Sequence, residues 1–238
     1  MNGNGRDTLD NLRPLIAAWQ APQVGLPEVV RWAQYVADGN VRHQNTLQHS
    51  LAITILGAMV IAQIRAASAA ELDGELLLTA LAIHDEGEGD LGQDTLWKDK
   101  SAKGDLAEYL AFRKRYEMLG PAWRSLHAAF LLQFCLKNPE CFPEDAREIM
   151  ERLSATHRYE ALAFEAIENW DYLLYSFEQY LERGNEKILV QVFRNQAPIL
   201  NRLAAELPGF AAIWTPELSA WSKNFLARRE GCWIEEKH

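Results

Sequence analysis

Apolar side chains recur at helical spacing along almost the whole chain. Residues 27–38 begin with a proline suited to a first helical turn, and residues 47–67 are apolar on nearly every side. Further helices are predicted over about 74–84, 105–118, 121–136, 144–154, 159–183, 186–206 and 216–228, with Pro198 expected to kink or split its helix. No segment alternates with the period of a strand, so the pattern predicts an all-α fold.

Two segments depart from a simple amphipathic pattern. The all-round apolar character of residues 47–67 predicts a central helix that its neighbours cover. Its longest apolar stretch, residues 51–62, is shorter than the ~20 residues that span a bilayer, so no membrane span is expected. Residues 85–104 carry many Asp, Gly and Lys residues, which is typical of a long exposed loop.

Composition and charge exclude some classes of binding partner. The chain has 238 residues, 48% of them hydrophobic, with 24 basic and 33 acidic side chains and a net charge of −9. Such a chain can form a packed core but suits neither duplex nucleic acid nor an anionic membrane. Three cysteines at no metal-ligand spacing predict free thiols without a functional role. The polar N-terminal residues lack a signal-peptide pattern, so a cytoplasmic location is expected.

Histidine and aspartate side chains occur on three of the predicted helices. His49 lies near the start of the 47–67 helix, His84 and Asp85 end the next helix, and Asp171 lies on an apolar face of the long one. Burying a bare carboxylate costs several kcal/mol unless it is paired or binds a metal, so an inward Asp171 favours a nearby cation. Two imidazoles and two carboxylates suit one divalent ion, Mn²⁺, Fe²⁺, Co²⁺, Ni²⁺ or Zn²⁺, with Mg²⁺ also open. A core histidine and a buried salt bridge are the alternatives for His49 and Asp171.

This ordered set resembles the HD-domain metal-dependent phosphohydrolases, and within them the bacterial YfbR-type 5′-deoxynucleotidases. The resemblance lies in four stretches: Arg31-Trp32, residues 42–50 (RHQNTLQHS), residues 84–88 (HDEGE), and residues 169–173 (NWDYL) with 182–185 (ERGN). It implies an HD-domain helical bundle over residues 27–187 with a metal site between core helices. Residues 1–26 would form an N-terminal extension, and residues 188–238 a C-terminal helical extension packed on the same domain.

The resemblance also implies a role for each site residue. Four side chains would hold the metal: His49, His84, Asp85 and Asp171. Glu88 would handle the proton of the attacking water. Arg42 and Arg31 would neutralise the substrate phosphate, with Arg42 favoured because it lies beside the metal helix. Trp32 would pack against the sugar, and either Asp90 or Asp94 would contact it. Lys98, beside Trp97, either reaches the phosphate or lies on ordinary surface.

The chain departs from the family pattern beside two metal-binding positions. Gln48 precedes His49 where the family usually has Glu, which weakens a supporting partner for the histidine. Bulky Trp170 precedes Asp171 where a small residue is common, which predicts a reshaped pocket floor. These changes put the choice of substrate in question.

The function predicted on this basis is a mononuclear, metal-dependent phosphohydrolase. It would remove the 5′-phosphate from a (deoxy)nucleoside monophosphate or a similar small phosphomonoester. A dinuclear HD-type phosphodiesterase or oxygenase, with His127 and His157 at a second metal, is one alternative, and a non-catalytic nucleotide-binding HD module is another. Four large C-terminal side chains would close the pocket or form a homodimer interface: Phe210, Trp214, Trp221 and Phe225.

Overall fold

The computed structural model describes residues 4–36, 40–92, 101–137 and 139–229. Within these ranges the regular structure is helical apart from one antiparallel pair of two-residue strands, which confirms the all-α prediction. The helices are α1 (Asn4–Gly25), α2 (Ala33–Val36), α3 (Thr46–Ala67), α4 (Gly74–Ile83), α5 (Glu86–Leu91), α6 (Ala102–Tyr116), α7 (Pro121–Leu132), α8 (Glu144–Thr156), α9 (Arg158–Arg183), α10 (Glu186–Glu206) and α11 (Pro216–Ala227). The strands are β1 (Val30–Arg31) and β2 (Gln44–Asn45). The HD-domain arrangement and its boundaries stay predictions.

Helix α9 lies at the centre of the packing. It contacts α3, α4, α7 and α8 and runs along α10. Its inner face is fully buried at Ile167 and Leu173, and the first turns of α10 bury Leu189 and Phe193 in the same core. A polar side chain on this face is therefore held in a fixed position by neighbours on several sides.

The predicted helix over residues 27–38 is wrong. A turn of 3₁₀-helix at Leu26–Glu28 leads into β1, in which Val30 pairs with Asn45 of β2. Trp32 then adopts a φ of 61°, a left-handed conformation that side chains other than glycine rarely take. This turn separates β1 from α2 and leaves Arg31 only 4% exposed.

Neighbouring helices cover only part of α3. Ile53 and Ile64 are fully buried, whereas Leu51, Ile55 and Met59 are 65%, 57% and 62% exposed. Their spacing of four residues places the exposed side chains in one stripe. By length and composition, α3 is the one described helix that could cross a membrane, and 33% of its most apolar 18-residue stretch is buried. Since a core helix of a soluble protein meets the same test, the cellular location stays a prediction.

The prediction of an exposed loop over residues 85–104 is wrong for its first part and for residues 102–104, which begin α6. Residues 86–91 form α5, in which Glu86, Gly87 and Glu88 are buried. Gly87 permits this packing because a Cβ there would lie 2.4 Å from the backbone oxygen of Glu108 on α6. Residues 93–100 lie outside the described part of the chain.

The C-terminal aromatic residues belong mainly to the core. Phe210, Trp214 and Phe225 are buried, and Trp221 is 42% exposed. Among these four, only Trp221 remains available to close a pocket or to contact a second copy. Helix α10 continues through Pro198, so the predicted split of this helix is wrong.

Candidate metal centre

Three of the predicted metal-binding side chains meet at one buried point. His49 lies in the first turn of α3, His84 follows the last residue of α4, and Asp85 precedes α5. One ligand atom from each lies within 4.8 Å of the others, and all three side chains are buried. No other group of this kind occurs in the described ranges. This buried group could hold a metal ion.

A hydrogen bond at Nδ1 of His84 directs the lone pair of its Nε2 toward His49 and Asp85. Its Nδ1 lies 2.8 Å from the backbone oxygen of Leu81, which can only accept, so Nδ1 carries the proton and Nε2 does not. Nε2 lies 3.3 Å from His49 Nε2 and 3.1 Å from Asp85 Oδ1. Burial lowers the pKa of His84, although the charge of Asp85 opposes this effect. Electron-pair donors thus converge where protonation is disfavoured, an arrangement that suits a metal cation.

Asp171 of α9 approaches His49 from the other side of the ring. Its Oδ2 lies 3.0 Å from His49 Nδ1, whereas His49 Nε2 faces His84 and lies 3.6 Å from Asp85 Oδ2. The distance is that of a hydrogen bond, but the angle at Nδ1 is poor, so the contact acts mainly through electrostatics. The carboxylate favours a proton on Nδ1, which leaves the Nε2 lone pair directed at the group. Asp171 is buried as predicted but is not one of the three clustered ligands.

The structure places Arg31 beside this group. Its Nη1 donates to Asp85 Oδ2 at 3.2 Å, and its Nη2 donates to the hydroxyl of Tyr172 at 3.3 Å. The favoured Arg42 instead has a side chain 43% exposed, and its Nη2 donates to Glu178 Oε2 at 2.9 Å. That hydrogen bond raises the pKa of Arg42. Arg31 is therefore the arginine that contacts the buried group, and the part of either arginine in phosphate binding stays a prediction.

Glu88 lies three residues after Asp85 in the chain. Its backbone N–H donates to the Asp85 carbonyl at 2.9 Å, and Glu88 is only 3% exposed. Glu88 is therefore a buried acid rather than a solvated one, although its part in proton transfer stays a prediction. Asp90, in contrast, is exposed and paired with Arg115. Asp94 and Lys98 lie outside the described residues.

Trp32 forms an aromatic surface next to Arg31. Its ring stacks on Tyr175 with a centroid distance of 4.5 Å and an interplanar angle of 6°. Its Nε1 donates to Gln44 Oε1 at 3.1 Å. The left-handed turn at Trp32 thus fixes both the stack and the inward direction of Arg31.

The two departures from the family pattern have structural roles of their own. Gln48 forms a capping box with Asn45: each side-chain oxygen accepts a hydrogen bond from the other residue's backbone N–H, at 3.1 and 2.9 Å. Trp170 is half-buried and meets Trp214 edge-on at a centroid distance of 6.1 Å. Trp170 therefore packs toward the C-terminal aromatic residues.

Two acids near the group were not singled out from the sequence. Glu168 Oε1 lies 3.9 Å from His84 Nε2, and Glu168 precedes Asp171 by three residues, a spacing that could have indicated a shared face of α9. Glu86, next to Asp85, accepts a hydrogen bond from the Tyr116 hydroxyl at 2.8 Å. Burial raises the pKa of Glu86 to about 6, while its hydrogen bond from Tyr116 opposes the rise.

The histidines considered for a second metal have other surroundings. His127 stacks on Trp123 at a centroid distance of 4.2 Å, and its Nε2 lies 3.0 Å from the Tyr109 hydroxyl. His157 Nδ1 lies 3.7 Å from Glu160 Oε2. Within the described ranges, neither histidine belongs to a metal-binding group.

Comparison of the chain with models of protein families, with curated proteins and with solved structures finds no match.

Proposed function

We propose that the protein is a metal-dependent phosphohydrolase that removes the phosphate from small phosphomonoesters, with (deoxy)nucleoside 5′-monophosphates as the substrate class. The observation that carries this proposal is the convergence of His49, His84 and Asp85 beside the buried guanidinium of Arg31. A cluster of metal ligands suits many reactions, but an arginine in contact with one of the ligands favours an anionic substrate such as phosphate. The order of histidine, histidine-aspartate and aspartate, which resembles the HD-domain phosphohydrolases, supports the same reaction.

His49, His84 and Asp85 would hold the divalent ion, because two imidazoles and a carboxylate match its ligand preferences. When bound, such an ion lowers the pKa of a water molecule toward ~7 and screens the phosphoryl oxygens. The set favours Mn²⁺, Fe²⁺, Co²⁺, Ni²⁺ or Zn²⁺ over Mg²⁺, which prefers oxygen ligands.

The remaining residues bind the substrate and accept the proton of the attacking water. Arg31 contacts the phosphate oxygens, and the contact strengthens as negative charge builds on them in the transition state. Asp85 and Tyr172 fix the direction of the guanidinium. Glu88, buried three residues after Asp85, accepts the proton of the attacking water. Trp32, stacked on Tyr175, offers a flat apolar surface to the sugar or base.

A phosphate-release assay tests this function. The purified protein is incubated with nucleoside and deoxynucleoside 5′-monophosphates in Mn²⁺, Co²⁺, Fe²⁺ or Mg²⁺, and inorganic phosphate is measured. We expect turnover with at least one metal and its loss in chelator. We expect His84→Ala to reduce turnover by more than about 100-fold, the upper range for losing a mere supporting partner of a metal ligand.

His43→Ala is the matched control, because His43 is an exposed histidine that lies shortly before α3, the helix that carries His49. It should retain the parent turnover. Absence of phosphate release with every metal, or equal turnover in the two variants, would overturn the proposed function. Tight nucleotide binding without phosphate release would assign the site to a binding module instead.

A further inference from the structure

We infer that Gln133 is a positioning residue of the candidate metal centre and that it acts through the backbone between two of the clustered side chains. Gln133 follows the last residue of α7, and its Nε2 donates to the backbone oxygen of His84 at 3.1 Å. That oxygen belongs to the peptide unit that joins His84 to Asp85. The inference rests on the metal site of the proposed function but is independent of the reaction.

The carbonyl of His84 needs a donor because α4 ends there. The last carbonyl groups of a helix have no partner within the helix, and α5 begins only at Glu86. The same segment serves two nearby carbonyl groups itself. The carbonyl of Leu81 lies 2.8 Å from Nδ1 of the His84 ring. The carbonyl of Asp85 accepts from the backbone N–H of Glu88 at 2.9 Å. The side-chain donor to the His84 carbonyl comes instead from the end of α7.

The peptide unit that Gln133 holds sets the position of Asp85 relative to His84. Because the unit is planar, rotation about the Cα–C bond of His84 moves its carbonyl oxygen and Asp85 together. In the structure, Asp85 Oδ1 lies 3.1 Å from His84 Nε2, and its Oδ2 lies 3.6 Å from His49 Nε2. A donor that holds this carbonyl therefore also holds the distances among the three possible ligands.

Gln133 is itself held in place by its neighbours. It is half-buried, the adjacent Leu132 and Phe134 are each 1% exposed, and α7 packs against α4. Its amide is neutral, so it can fix the geometry of the group without changing the charge of the group. Metal affinity depends on supporting hydrogen bonds of this kind as well as on the ligands. Helix α7 thus contributes to the centre without supplying a ligand.

Cobalt titration of the full-length, chelator-treated protein tests the inference, since the visible absorption of Co²⁺ reports the geometry and type of its ligands. Gln133→Met keeps the length of the side chain and its lack of charge but removes the donor. We expect this variant to change the absorption band and to weaken Co²⁺ binding at least about tenfold. Gln133→Asn, which is shorter by one methylene group, should also change the band, and it carries the test if Gln133→Met does not fold.

Two control variants separate this effect from a general loss of stability. Gln23→Met removes a bond of the same kind, because Gln23 Nε2 donates to the backbone oxygen of Trp19 at 2.9 Å. Val192→Ala truncates a side chain that is 5% exposed on α10, which carries none of the three clustered residues, and it should lower the melting temperature. Both variants should keep the parent band and affinity.

Three results would overturn the inference. The first is a parent-like band and affinity in Gln133→Met. The second is the same change of band in Val192→Ala, which would make the effect one of stability alone. The third is loss of folding in both Gln133 variants, as shown by thermal unfolding, which would assign this residue to the fold.

The outcomes for the positioning residue and for the reaction are separable. A band that depends on Gln133 in a protein that releases no phosphate would support the inference and overturn the proposed function. Phosphate release by the parent protein with a band independent of Gln133 would do the reverse. Failure of the parent protein to bind Co²⁺ would overturn both.

Discussion

Arg31 is a buried cation whose position depends on Asp85 and Tyr172. Removing one partner of a buried pair leaves the other charge uncompensated, at a typical cost of about 3–5 kcal/mol. We therefore expect Arg31→Met to lower the free energy of unfolding of the metal-free protein by that amount. Urea denaturation in the presence of a chelator measures the loss.

Arg42→Met is the control for this prediction. Arg42 and Glu178 form a partly exposed pair, with side chains 43% and 31% accessible, and such pairs contribute less than about 1 kcal/mol. Equal destabilisation by the two substitutions would show that the environment of Arg31 is not the buried one described.

His127 gives a prediction for pH dependence. Burial lowers its pKa to about 4 from an ordinary value of 6.5. Since the folded value is the lower one, the unfolded chain binds more protons between these pH values. The stabilising contribution is therefore complete above pH 6.5 and is lost as the pH falls toward 4. We expect a loss on the order of 1–3 kcal/mol across this window. His127→Phe should flatten that part of the profile, as measured by denaturation at several pH values.

At the scale of single residues, the sequence indicates chemistry better than geometry. His49, His84 and Asp85 could be chosen because their residue types and their order along the chain carry the signal. The closeness of Glu168 to His84 could not be predicted, because it depends on the rotation of α9 against α4. The contact of Arg31 with Asp85 depends on the left-handed turn at Trp32, which no periodicity reveals.

Helix α5 is held against α6 by the absence of a side chain at Gly87. A Cβ there would lie 2.4 Å from the Glu108 backbone oxygen, so α5 would have to shift. We expect Gly87→Ala to destabilise the protein by about 1–3 kcal/mol and to weaken metal binding, because Asp85 precedes this helix directly. Chemical denaturation and a metal titration measure the two effects.

Gly104→Ala, on α6, is the control for Gly87→Ala. The nearest atom to a Cβ there is Ser101 Oγ at 3.5 Å, an ordinary contact, and alanine favours a helix. This variant should be as stable as the parent or more stable by up to about 1 kcal/mol. Destabilisation of the same size in both variants would contradict the proposed packing of α5.

At the scale of elements, strong periodicity gives accurate boundaries. The helices predicted over residues 47–67 and 159–183 begin one residue later than the helices of the structure, Thr46–Ala67 and Arg158–Arg183. Gly184 ends α9 with a φ of 65°, as its place after the last periodic residue indicates. The failures lie at β1 and α5, where tertiary contacts to β2 and α6 decide the conformation.

The amino-terminal helix is joined to the rest of the molecule near the candidate site. A Cβ at Gly25, the last residue of α1, would lie 2.9 Å from the backbone oxygen of Gly89 on α5. We therefore expect deletion of residues 1–24 to lower the melting temperature by more than about 4 °C, equivalent to 1–2 kcal/mol in a chain of this size. Calorimetry of the two proteins measures the change, and an equal melting temperature would mean that α1 is a dispensable extension.

The exposed stripe on α3 predicts a surface that binds apolar probes. Changing Leu51, Ile55 and Met59 together to Gln should reduce the fluorescence of a hydrophobic dye in the presence of the protein. Because these side chains are more than half exposed, each change should alter stability by no more than about 0.5 kcal/mol. Ile53→Ala, on the buried face, should cost about 2–5 kcal/mol instead. Dye fluorescence that is unchanged in the triple variant would contradict this interpretation of α3.

The side chains that could hold a metal ion are distant along the chain. From His49 to His84 there are 84 − 49 = 35 residues. An ion held by His49, His84 and Asp85 would close this loop, as a removable cross-link between α3 and the end of α4. Opening of either helix would first have to release the ion, so adding metal should slow amide hydrogen exchange in both helices together. Occupancy of the site would then govern how often this part of the core opens.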